Sequence, residues 1–113
     1  MVYLTIILFA IAALGGVTLA VMKMSGRELP MPIVIGHGIF AACGLVALII
    51  MVAQSRENSL MNGSLLLFLI TAVGGFTLLS FHLRNKPHPL SLIGAHGLLA
   101  VISFIIFLIS VLR

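Results

Sequence analysis

Four long apolar runs fill almost all of this 113-residue chain: Val2 to Met24, Met31 to Ala53, Met61 to Leu83 and Leu90 to Leu112. Each is long enough to cross a bilayer as one α-helix, which takes about 20 mostly apolar residues. The breaks between them carry loop chemistry. "KMSGRELPMP" holds Gly26, Pro30 and Pro32, "QSRENS" is short and polar, and "RNKPHP" holds Pro87 and Pro89. Proline is tolerated at a helix's first turn because its missing N–H had no partner there. Six Lys/Arg and two Asp/Glu cannot make a polar skin for a chain that is 62% hydrophobic. The expected fold is therefore an all-α integral membrane protein, a bundle of four transmembrane helices forming one membrane domain over residues 1–113.

Several classes fall away. The basic residues sit in loops and form no clustered face, so nucleic acid is not expected as a partner; the lipid bilayer is. The single cysteine, Cys43, excludes an internal disulfide and a Cys-based zinc site. The first run lacks a basic leader and is too long for a signal-peptide core, so it is expected to stay in the protein. The first and third breaks carry Lys23, Arg27, Arg84 and Lys86. The second break and the C-terminus carry Arg56, beside Glu57, and Arg113. The positive-inside rule then puts the first and third breaks in the cytoplasm and both termini outside, in a bacterial cytoplasmic (inner) membrane.

The chain also repeats itself. At an offset of 59, Gly15-Gly16 falls on Gly74-Gly75, Thr18 on Thr77, Pro30 on Pro89, His37 on His96, Gly38 on Gly97 and Ala41 on Ala100. The rare letters here, glycine, proline, threonine and histidine, are among those that recur. Each half, 1–54 and 60–113, reads as a helical hairpin. Both halves cross in the same sense, so the repeat is parallel, with its pseudo-twofold axis along the membrane normal. His37 and His96 are then expected at one depth, facing each other across that axis. An imidazole turned to lipid is costly.

Each histidine lies seven residues past a proline, roughly 10 Å below the cytoplasmic helix end at 1.5 Å per residue. Gly16 and Gly75 reach the same level. Below the histidines, Ala41 and Gly44, and Ala100 and Ser103, keep one stripe small. Three readings compete for this level. In the first, small residues let helices pack closely and the histidines bond across the interface. In the second, the histidines form a bare metal or proton site. Two ligands are too few for zinc, and no acid lies at that depth, but a proton path stays open. In the third, they are the axial ligands of a b-type haem, whose porphyrin supplies the other four nitrogens. Four-helix bundles hold cofactors in their cores in this way.

On the haem reading, His37 and His96 bind the iron. Gly15, Gly16, Gly38, Ala41 and their mates Gly74, Gly75, Gly97 and Ala100 make the cavity. Lys23, Arg27, His82 and Arg84, with Lys86, stand ready for the propionates, although positive-inside topology explains these charges equally. His82 at a helix end and His88 between prolines read as interfacial residues. Thr18 and Thr77 are expected to bond their own backbone.

The arrangement resembles membrane-embedded bis-histidine b-type cytochromes in architecture, without a shared motif. Small multidrug transporters are similar in length and helix count, but they rely on an acidic residue inside the first helix, and this chain has none there. The expected function is electron transfer through one haem b, as a carrier or subunit rather than a stand-alone enzyme. A quinone, a partner membrane protein, a larger complex or a second copy of the chain would complete the path. The alternatives are a cofactor-free accessory or assembly subunit, and a small proton- or solute-conducting protein.

Overall fold

A computed structural model describes all residues, Met1–Arg113. It is all-helical, with α1 (Val2–Met24), α2 (Met31–Gln54), α3 (Ser59–Leu83) and α4 (Leu90–Leu112). Each helix is long and apolar enough to cross a membrane. The boundaries match the sequence expectation except that α2 ends one residue later, at Gln54, and α3 starts two residues early. Asn58 explains the difference: its side chain accepts a bond from the Met61 N–H at 3.1 Å and caps the helix.

The chain divides into two compact units, Met1–Met51 and Val52–Arg113. In the first, α1 and α2 run antiparallel, with the Phe9 ring against Gly44 and the His37 ring against Gly15 and Gly16. The buried residues of α1, Thr5, Phe9 and Ala12, recur at the helical period. On α2 they are Gly44, Ala47, Leu48 and Met51. Thr5 donates to the Met1 carbonyl at 2.8 Å and lies 3.3 Å from the Met51 sulfur. In the second unit, α3 and α4 are again antiparallel. The Ser64 hydroxyl donates to the Ser103 carbonyl at 3.1 Å, and the Asn58 amide donates to the Ser110 carbonyl at 3.3 Å. Its buried stripes are Met61, Ser64, Phe68 and Thr71 on α3, and Ser103, Phe107 and Ser110 on α4. Six buried positions recur at the offset of 59: Thr5 with Ser64, Phe9 with Phe68, Ala12 with Thr71, Gly44 with Ser103, Leu48 with Phe107, and Met51 with Ser110.

The two hairpin turns share one backbone. After α1, Gly26 takes φ +74° and the Arg27 N–H reaches the Met22 carbonyl at 2.9 Å. After α3, Asn85 takes φ +54° and the Lys86 N–H reaches the Phe81 carbonyl at 2.9 Å. This left-handed cap is common at helix ends, and glycine and asparagine tolerate it best. The next helices begin alike, with Pro30 accepting from Ile33 and Val34, and Pro89 from Leu92 and Ile93.

Most of what faces outward is apolar. Leu14, Val73, Phe76 and Leu98 are each more than 60% exposed. A soluble monomer rarely presents contiguous apolar surface on this scale.

Candidate functional site: two imidazoles on glycine notches

In the first hairpin, the His37 ring lies against α1. Its Nδ1 sits 2.7 Å from the Ala12 carbonyl oxygen. A carbonyl only accepts, so Nδ1 carries the proton and donates. The glycine pair makes this approach feasible. A helical side chain covers the turn on the N-terminal side of its own Cα. Side chains at positions 15 and 16 would therefore shield the Ala12 carbonyl, and glycine leaves it open. A Cβ on Gly16 would stand 3.0 Å from His37 Cε1, and one on Gly15 would stand 3.3 Å from His37 Cβ. The space vacated by these glycines is thus taken by the imidazole of the same hairpin.

The second hairpin repeats the arrangement. His96 Nδ1 donates to the Thr71 carbonyl at 2.9 Å. A Cβ on Gly75 would stand 3.0 Å from His96 Cε1. Gly74 is looser than its mate, with its nearest contact at 3.6 Å. In both hairpins the bond spans 25 residues, and the acceptor lies four residues before the second glycine of the pair. In a neutral imidazole with its proton on Nδ1, the lone pair is on Nε2. That nitrogen is the atom able to ligate a metal, and a hydrogen bond from the opposite ring nitrogen is the usual way such a ligand is oriented. Both histidines are half-buried.

The remaining candidate residues are distributed as follows. Gly38 and Gly97 are exposed, and a Cβ at either would meet nothing within 4 Å. Ala41 and Ala100 are half-buried. His37 borders a groove of about 300 Å³ in the first unit, lined also by Gly15, Thr18, Gly36 and Phe40. Thr18 and Thr77 bond the backbone one turn earlier, at Leu14 and Val73, each at 2.8 Å, as expected. Cys43 is exposed. Lys23 is half-buried in the last turn of α1, and Arg27 is exposed in the turn that follows. His82 ends α3 and pairs with His88, ring centroids 5.5 Å apart. Arg84 folds back on α3, donating from Nε to the Ser80 carbonyl at 3.3 Å with its guanidinium over Phe81.

The acceptors, Ala12 and Thr71, were not among the residues the sequence singles out. Their contribution is a main-chain oxygen, which no letter marks. The visible signal is indirect: a histidine in one helix and a glycine pair at the facing level of the other. No family model matches the chain, and no curated protein or solved structure matches it either.

Proposed function

We propose that the chain is an integral membrane protein built as two tandem hairpins, and that His37 and His96 supply the two axial ligands of one haem b for electron transfer. The observation that carries this reading is the repeated imidazole geometry. Twice, at positions 59 apart, Nδ1 donates to a main-chain carbonyl, which in a neutral ring leaves the lone pair on Nε2. An axial ligand needs that tautomer and a fixed ring plane. The shared turn backbone and the six shared buried positions support the tandem repeat. The apolar outer faces support membrane insertion.

On this reading the glycine pairs act on the cofactor through the ligand. They uncover the carbonyl that fixes the imidazole, and the residues lining the groove beside His37 would help hold the cofactor. The haem supplies one-electron chemistry, and the chain orients two nitrogens toward the iron. One haem in one leaflet does not span the bilayer, so a quinone or a partner membrane protein takes the electron onward. The site lies near the cytoplasmic face of a bacterial inner membrane, with both termini outside.

The second reading is a cofactor-free helix-packing subunit. It draws on the same notch, because an imidazole seated on two glycines and bound to a carbonyl also locks a hairpin without any ligand.

The test is the absorption spectrum of protein purified from haem-replete cells. A Soret band that sharpens on reduction into low-spin bands is expected. His37→Ala and His96→Ala should each abolish the low-spin bands, leaving iron five-coordinate or absent, while His82→Ala and His88→Ala leave the spectrum nearly unchanged. A colourless protein that also refuses added hemin sinks the haem reading and leaves the packing one.

A further inference from the structure

The two turns share a backbone but not a chemistry. Over positions 23–29 the first carries Lys23, Arg27 and Glu28. Over the equivalent 82–88 the second carries His82, Arg84, Lys86 and His88, with no acid. Ser25 and Leu29 stand where Arg84 and His88 do. The first turn closes with the same left-handed residue and the same capping bond. The fold therefore does not require the extra basic side chains of the second.

Those side chains are also placed. Arg84 is held along α3 by its bond to the Ser80 carbonyl and by the Phe81 ring 5.3 Å below. His82 and His88 come together, centroids 5.5 Å apart, across a turn pinned by Asn85 and closed by Pro89. Two adjacent imidazoles are half a metal site, but Arg84 and Lys86 in the same turn disfavour a dication there. The chain's acids, Glu28 and Glu57, lie in the other two connections. The local charge selects an anion.

The geometry points to the α3–α4 turn as a headgroup site for an anionic phospholipid, with Arg84 and Lys86 supplying charge to the phosphate and the imidazole pair flanking it. This inference rests on the membrane reading above. Apolar helices end at this turn, which puts it at headgroup level on the membrane reading. Basic residues near an anionic surface contribute roughly a fivefold gain in binding each.

The full chain, purified in mild detergent, is titrated with phosphatidylglycerol, phosphatidylcholine and inorganic phosphate, and bound lipid is counted by native mass spectrometry. Phosphatidylglycerol should bind in preference to phosphatidylcholine. Arg84→Gln with Lys86→Gln should weaken it about 25-fold, two charges at roughly fivefold each. Arg84→Lys with Lys86→Arg should restore binding, which separates lost charge from lost fold. The matched control, Lys23→Gln with Arg27→Gln, should change little. Equal weakening by both Gln pairs means diffuse positive charge and overturns the site. Displacement of the lipid by inorganic phosphate at equal concentration overturns the lipid assignment. Release of the chain from membranes by alkaline carbonate refutes the membrane reading itself, a result distinct from either.

Discussion

Gly16→Ala puts one methyl group where the structure has an imidazole edge. The new Cβ would stand 3.0 Å from His37 Cε1 and 3.5 Å from Nδ1. At that distance the ring must give by a few tenths of an ångström. The Nδ1 to Ala12 bond starts at 2.7 Å. A withdrawal of that size stretches it to about 3.0–3.1 Å, the long side of the hydrogen-bond range. Losing it altogether would cost about 0.5–1.5 kcal/mol. Alanine returns about 0.8–1.0 kcal/mol over glycine in a helix interior. The two nearly cancel, so melting temperature is a poor readout and ring chemistry a good one.

With histidine ring nitrogens labelled with ¹⁵N, in a diamagnetic state of the protein, wild type should show two histidines locked with the proton on Nδ1. Gly16→Ala should release His37 into mixed tautomers and leave His96 untouched. Gly75→Ala should do the reverse, since its Cβ also stands 3.0 Å from the facing Cε1. If His37 keeps its Nδ1 proton signal in Gly16→Ala, the notch does not position the ring and the site as described is wrong.

Four further substitutions probe the hairpins. Gly44→Ala drives a Cβ to 2.9 Å from the Phe9 ring and should destabilise the first hairpin by about 1–3 kcal/mol in a denaturant titration; an unchanged midpoint would show that Phe9 moves aside freely. Ser64→Ala removes the fully buried bond to the Ser103 carbonyl and should cost about 0.6 kcal/mol, the average for such bonds between membrane helices, read by the same titration. Gly26→Ala forces a β-carbon into φ +74° and should cost about 1–2 kcal/mol, whereas Asn85→Gly at the equivalent φ +54° should be neutral or better in thermal unfolding.

The helices were legible because length and apolarity leave few alternatives. The runs from Val2, Met31 and Leu90 begin where the structure begins them. The start of α3 was missed because a cap is a side-chain bond, and Asn58 reads as one more polar loop letter until Met61 is seen bonded to it. The histidines and glycine pairs were legible as a level, through their spacing from Pro30 and Pro89. The relation between them was not. Sequence spacing gives height along a helix but not which neighbour a ring leans on, and here His37 leans on Gly15 and Gly16 of its own hairpin. The role of Asn85 was equally hidden, because its left-handed backbone matches Gly26 while its letter does not.

Ala12 and Thr71 differ in size, polarity and branching, yet both hold an imidazole at nearly the same distance. Each offers only its carbonyl, which in an α-helix already accepts the N–H four residues on, from Gly16 or Gly75. The oxygen is thus shared, and no replacement at position 12 or 71 can delete it. Mutational scanning should accordingly find the bond indifferent to the side chain at 12 or 71, within the size their buried stripes admit, and Gly16 and Gly75 restrictive. The vulnerability of the site has moved from the atom that makes the bond to the side chain that must not be there.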